Sequence, residues 1–323
     1  MNRERGPLRA DARRGAGRAL RAALRLALAA LPAACAARSS PPAAASGDTL
    51  ELRVLDVGQG DAILLRGGGA AVLVDAGETD RVTGQLRALG VDSLGLVIAS
   101  HNHDDHIGGM DAVLRDVPVR TYVDNGHPAN TRIQRTVIGL LQERGVPYRD
   151  AADLADSAIA LGDATLHIIP SPVRGNRVGA NDRSVVVLLS RGAFRALLTG
   201  DSERRELAAL LREADVPDVD VFKAPHHGSR TGLLPAWLAR TRPEVILLSV
   251  AAGNSYGLPD EDALAAYGAG GRPVFRTDRD GDLVVTVDSR GCYRVRGTGA
   301  GSAHAVTGGP ASCPPTTSLE KAP

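Results

Sequence analysis

A chain of 323 residues, 43% of them apolar, is long enough for one large domain or two ordinary ones. With 38 basic against 37 acidic residues the formal net charge is +1, which excludes an overall electrostatic grip on nucleic acid or anionic membrane but leaves room for a local basic groove. Aromatic residues make up only 3%, so the core must be aliphatic.

Residues 1–48 read as a leader and linker. Eight arginines between Arg3 and Arg25 precede the apolar run Leu26–Ala37, which is too short to span a bilayer and has the shape of a signal-peptide core. The small residues around Cys35 are similar to a bacterial lipoprotein cleavage site, although Leu31 lies one position further from the cysteine than is usual. Export is therefore expected, giving an extracytoplasmic protein, either secreted or attached to the membrane by a lipid at Cys35. Ser39–Gly47 is almost entirely Ser, Pro and Ala, a tether.

Residues 49–296 alternate short aliphatic runs with helical patterns. LELRVLDV, DAILLR, AAVLVDAG and SLGLVIAS read as strands, with a helix at Thr79–Leu89 between the last two. Helices are predicted at Ile107–Arg115 and Asn130–Glu143. Strands at TLHIIP, SVVVLLS, FRALLTGD, VDVFKAP, EVILLSV and DLVVTVD follow, with helices at Ser202–Ala214, Gly232–Arg240 and Asp260–Tyr267 among them. Residues 297–323 are rich in Gly, Ser, Thr and Pro and are expected to form a flexible tail.

A weak internal repeat runs through this order. DAILLRGGGAAVLVDAGE is strand, glycine turn and strand ending in Asp75, and SVVVLLSRGAFRALLTGDSE repeats the plan and ends in Asp201. After each comes a helix and another strand, leading to His101 in the first case and His226 in the second. Two sheets of one plan would bring an aspartate and a histidine cluster each to equivalent strand ends.

The stretch SHNHDDHIGG, Ser100–Gly109, holds three of the eight histidines. Turn geometry calls for glycine, asparagine or serine, not imidazoles at alternate positions. An extended strand end would put His101 and His103 on one side, and the following turn would swing Asp105 and His106 to another. His101 and His103 then suit one cation and Asp105 with His106 a second. Imidazole and carboxylate are donors for Zn2+ or Mn2+.

With LDVGQGDAILL, VLVDAG, LLTGD and KAPHHGS, this stretch resembles the motif set of the metallo-β-lactamase fold superfamily, and within it the ComEC hydrolase domain and its stand-alone relatives. The joint occurrence of five motifs over roughly residues 50–288 is a specific signal. The resemblance implies an α/β fold, an αββα four-layer sandwich of two mixed sheets packed face to face, with a site for two divalent metal ions at one edge. It implies Asp201 as the carboxylate shared by both cations and His226 as the last histidine ligand, with His227 its rival. A helix N-cap after a strand is the other use of the GDS around Asp201. Asp75 would buttress the ligands, with Asp61 also behind them. Asp105, Asp201 and His227 are expected to take part in the chemistry, and Asn181, Ser184, Asn254 and Tyr256 to meet the substrate.

Two departures stand out. Asn181 occupies the place where the superfamily usually has a histidine for the first metal, as in relatives of ComEC, and an amide oxygen is a weaker ligand. Leu258 in NSYGLP stands where relatives commonly have histidine, and leucine can neither donate a proton nor bind an oxyanion.

Two cations can clamp an anionic phosphate and activate water, so hydrolysis of a phosphodiester is the expected function, and the resemblance to the ComEC hydrolase domain implies DNA among the substrates. Hydrolysis of phosphorylcholine esters or lactones is an alternative within the same fold, and a non-catalytic metal-binding module is the alternative from another class. Arg174, Arg177 and Arg183 in SPVRGNRVGANDR offer either a basic track or a solvated loop. No glycine-rich nucleotide motif is present, so a nucleotide cofactor is not expected. In an oxidising compartment Cys292 and Cys313 are expected to pair.

Overall fold

The computed structural model describes residues 49–313 except 156, 176, 301, 303 and 304. The leader, with Cys35, and the last ten residues lie outside the described residues.

The first half of the chain supplies β1 (Leu50–Val54), β2 (Ile63–Gly67), β3 (Ala70–Val74), α1 (Arg81–Ala88), β4 (Leu96–Ile98), α2 (Asp104–Ile107), α3 (Met110–Asp116), β5 (Tyr122–Asp124), α4 (Arg132–Glu143) and β6 (Tyr148–Asp150). The second half supplies β7 (Ala158–Leu161), β8 (Ala164–Ile169), β9 (Val186–Arg191), β10 (Phe194–Leu198), α5 (Arg204–Glu213), β11 (Val221–Lys223), α6 (Pro235–Thr241), β12 (Val245–Leu248), α7 (Glu261–Tyr267) and β13 (Val274–Arg276). A short α8 (Thr277–Asp280) then leads into β14 (Leu283–Val287), β15 (Tyr293–Gly297) and β16 (Ala305–Gly308), which return to the first sheet.

The strands form a nine-stranded sheet in the order β16-β15-β14-β1-β2-β3-β4-β5-β6 and a seven-stranded sheet in the order β13-β12-β11-β10-β9-β8-β7. The internal repeat is visible in their pairing. β2 and β3 form an antiparallel hairpin and β3 continues in parallel with β4, while β9 and β10 form a hairpin and β10 continues in parallel with β11. Gly68 and Gly69 close the first hairpin with φ of 57° and 79°, the left-handed backbone such tight turns require.

Three apolar clusters account for four layers. Between the sheets, Leu52, Val74 and Ile98 of one face meet Leu166, Val187, Leu198 and Leu247 of the other. Val82, Leu86, Met110, Val113 and Leu141 seal α1, α3 and α4 onto the outside of the first sheet. Leu207, Leu210, Trp237 and Tyr267 seal α5, α6 and α7 onto the second. This is the αββα sandwich with two mixed sheets.

The structure corrects the expected tail. β16 pairs antiparallel with β15, Tyr293 opposite Gly308 and Arg296 opposite Ala305, and Cys292 is joined to Cys313 by a disulfide. The ordered sheet therefore runs past residue 296, because AVTG supplies the ladder bonds of an edge strand despite its small side chains. Among the described residues, no helix is long and apolar enough to cross a membrane.

Candidate metal centre

The motif residues gather where parallel strands end. Chain leaving β3 carries Asp75, chain leaving β4 carries Ser100 and His101, chain leaving β10 carries Asp201, and chain leaving β11 carries His226 and His227. Ligands in open α/β sheets sit at such carboxyl ends, where the polypeptide turns over the sheet edge.

Asp105, His106, Asp201 and His227 form a compact group whose ligand atoms all lie within 4.8 Å of one another. His106 Nε2 is 3.2 Å from Asp201 Oδ1, and His227 Nε2 is 3.2 Å from Asp105 Oδ2 and 3.5 Å from Asp201 Oδ1. Both rings are held from behind. His227 Nδ1 donates to the Ser249 carbonyl at 2.9 Å, and because a carbonyl only accepts, the proton belongs on Nδ1 and Nε2 faces the group. His106 Nδ1 lies 2.8 Å from Asp75 Oδ2, which fixes that ring in the same sense. Asp75 spends its remaining capacity on Ser100, accepting from the backbone N–H and from the hydroxyl at 2.7 Å each. It thus meets His106 directly and His101 through the Ser100 hydroxyl, and with Asp61 and His106 it forms a second group whose ligand atoms lie within 4.8 Å of one another.

Electrostatics reinforce the geometry. Burial disfavours charge on His106, but Asp201 and Asp75 outweigh it and hold its pKa well above the ordinary value. His227, opposed by burial but favoured by Asp201 and Asp105, is pushed up to about 10. Asp201, which burial would raise, is held well below the usual carboxylate range by those two rings. Clustered carboxylates that force buried imidazoles to carry charge make a site hungry for cations.

His101 is fully buried and is pushed well below its ordinary pKa by burial and by His106, so it is neutral and able to donate a lone pair. Its Nδ1 is 3.1 Å from the Ser100 hydroxyl, while its Nε2 is buried without a hydrogen-bond partner among the described residues. Such an atom is costly unless a ligand meets it. The His101 ring lies 4.6 Å from that of exposed His103 and 4.2 Å from that of His106, centroid to centroid. The donor set therefore fits divalent cations.

Several expectations change. His227, not His226, completes the compact group. His226 is a quarter exposed, its Nδ1 engages Thr231 at 3.0 Å and Glu203 at 3.2 Å, and its Nε2 stands 3.8 Å from Asp201. Both residues have left-handed backbone, φ of 49° and 52°, and this turn points the neighbouring rings to different places. Ser184, expected to meet the substrate, is buried and its hydroxyl accepts the Asp201 N–H at 3.1 Å. Asn254 is spent on its own loop, donating to the carbonyls of Ala251 and Leu258 and accepting from the N–H groups of Tyr256 and Leu258. Tyr256 is two-thirds exposed. Asn181 sits beside Glu203 and His226, its Nδ2 3.3 Å from Glu203 Oε1, with its amide oxygen buried and unpaired among the described residues. Arg183 donates to the Gly175 carbonyl and Arg174 to that of Ser171, so these two arginines brace their loop instead of forming a free basic track.

Sequence reasoning overlooked Ser100, Lys223, Ser249 and Glu206. The first two stand inside quoted motifs, which was the available signal. Lys223 is fully buried and paired with equally buried Asp61, which faces His227 Nδ1 at 3.5 Å.

The paired sheets and the His/Asp group at their shared edge define a metallo-β-lactamase-type protein, and the family comparison agrees: the chain belongs to the metallo-β-lactamase superfamily, whose model matches residues 55–250. Its relatives include the ComE operon protein 3 of Bacillus subtilis (strain 168), 24% identical over 258 residues covering 72% of this chain and 32% of that protein. Recombination protein 2 of Haemophilus influenzae is 28% identical over 223 residues, 66% of this chain and 26% of that one. The chain thus spans a third or less of these relatives, and is distantly related to competence proteins as the motifs suggested. Among solved structures, the metallo-β-lactamase fold protein YhfI from Bacillus subtilis covers 70% of this chain and 96% of its own at 16% identity, with a TM-score of 0.47.

Proposed function

We propose that the chain is an exported metal-dependent hydrolase of phosphodiester bonds, with DNA strands among its substrates. The observation that carries this reading is the compact group of Asp105, His106, Asp201 and His227 with both rings oriented from behind. These residues would hold one cation, and His101 and His103, sharing Asp201, another. When bound, Zn2+ or Mn2+ supplies Lewis acidity toward phosphate and lowers the pKa of water toward neutrality. Asp201 orients the reacting water, and Asp75 and Ser249 keep the two rings from turning away. Kinship with competence proteins supports DNA over lactones or phosphorylcholine esters. The Cys292–Cys313 disulfide and the Arg-rich leader support an oxidising, extracytoplasmic compartment, with lipid attachment at Cys35 as its anchored form.

Turnover of bis-p-nitrophenyl phosphate and of single-stranded and duplex DNA, with added Mn2+ or Zn2+, tests the reading. Cleavage of either diester that disappears in Asp201→Ala is the expected result. Metal-loaded protein that cleaves a lactone but no diester would overturn it.

A further inference from the structure

Asp61 and Lys223 form a fully buried charged pair that the reaction itself does not require. Burying two charges is expensive, and a well-packed apolar pair of the same size is often as stable, so stability alone is a weak reason for this one. What the pair touches suggests another reason. Lys223 Nζ donates at 3.1 Å to the carbonyl of Gly200, the residue immediately before Asp201, and faces the Asp61 carboxylate. Asp61 in turn faces His227 Nδ1, and its own N–H donates at 3.2 Å to the Asp105 carbonyl. One step back, the Ser249 hydroxyl donates to the Gly60 carbonyl at 2.6 Å while the Ser249 carbonyl accepts from His227. Gly60 permits this approach, since its φ is 103° and a Cβ there would fall 1.8 Å from the Asp105 carbonyl oxygen.

The ligands Asp105, Asp201 and His227 arrive from three chain segments on two sheets: the Asp105 carbonyl and the far nitrogen of His227 meet Asp61, and the Gly200 carbonyl just before Asp201 accepts from Lys223. We propose that Lys223, acting with Asp61, is a positioning residue: a cation built into the protein that locks the strand ends carrying Asp201 and His227 to the turn beneath Asp105 and so presets the metal-binding geometry. This rests on the metal-dependent reading above. It assigns Lys223 no contact with substrate or metal.

The test compares wild type, Lys223→Met and the double variant Lys223→Met/Asp61→Asn, which removes both charges together and keeps the shape. Zn2+ affinity is measured by competition with a chromophoric chelator, thermal stability on metal-free protein, and amide hydrogen exchange on metal-free protein at Gly200, Asp201 and Asp61. Lys223→Met alone leaves Asp61 buried without its partner and is expected to lose stability. The double variant is expected to regain most of that stability, yet to bind Zn2+ about 10- to 100-fold more weakly, the range typical of groups that orient ligands, and to exchange those amides faster. Wild-type Zn2+ affinity and wild-type exchange in the double variant would reduce the pair to a structural ion pair and overturn the proposal. Should wild type bind neither Zn2+ nor Mn2+, the functional reading falls, while the exchange measurement on metal-free protein still decides for or against positioning.

Discussion

Asp105, His106, Asp201 and His227 form a compact group with both rings anchored on the far nitrogen, whereas His101 and His103 stand as a pair with one ring buried and the other exposed. The first half has closed geometry and a dense field of carboxylates. The second has a neutral imidazole at His101. Affinity follows preorganisation, because ordering donors after a ligand arrives costs part of the binding free energy. The two halves should therefore differ in affinity, with Asp201 the residue they share.

The strongest way to erase the difference is to remove that shared group. Asp201→Ala takes away the carboxylate that faces the Nε2 atoms of both His106 and His227, so metal content measured by plasma emission should fall in both halves and diester turnover should drop by more than about 100-fold. Activity near wild type would rule out a centre built around Asp201.

A narrower cut separates the neighbouring histidines. His227→Ala removes a buried member of the compact group and should weaken the tighter cation by on the order of 100-fold, while His226→Ala, altering a partly exposed ring held by Thr231 and Glu203, should change it by no more than a few-fold. Equal losses in the two variants would contradict the geometry. Asn181→His puts an imidazole where the motif resemblance implies a ligand for the His101/His103 cation, and is expected to narrow the gap between the two affinities by about 10-fold in a chelator titration in which that cation leaves first. Two equally tight cations in the unaltered protein would remove the basis for that variant.

These contrasts also mark what was legible in the sequence. The strand ends at Asp75, Ser100 and Asp201 were readable because aliphatic runs stop abruptly at polar residues, and HxHxDH because no turn needs three imidazoles. Choosing between His226 and His227 required backbone angles: two consecutive left-handed residues have no signature in PHHG that distinguishes which ring turns inward. Ser184 and Asn254 were read as substrate contacts because small polar residues near a site look alike, yet one holds the Asp201 N–H and the other closes its own loop. β5, β6, β7, β13 and β16 were missed since each has only three or four residues and no long aliphatic run, too little for an alternating pattern. Long-range partners such as Lys223 with Asp61 lie beyond any local period.

The smallest effect on metal binding is expected from Glu206→Gln, which tests whether support behind the compact half needs charge. Glu206 is fully buried on α5 and accepts the Ser184 N–H at 3.2 Å, and Ser184 in turn receives the Asp201 N–H. Burial pushes the Glu206 carboxyl up to about 8 from an ordinary 4.5, so over that window the folded protein keeps a proton that the unfolded chain releases. Stability contributed by the neutral acid is fully present below about pH 4.5 and is lost as pH rises toward about 8, beyond which the loss levels off. At 1.36 kcal/mol per pKa unit, the full loss is roughly 4 to 5 kcal/mol. Glutamine keeps a carbonyl for the Ser184 N–H but cannot ionise. Urea unfolding of chelator-treated protein at pH 5, 7 and 9 should therefore show wild type weakening relative to Glu206→Gln as pH increases, with Zn2+ affinity at pH 6 changed by less than about 3-fold. Parallel pH profiles for the two proteins would mean that Glu206 ionises in the folded state much as it does in the open chain.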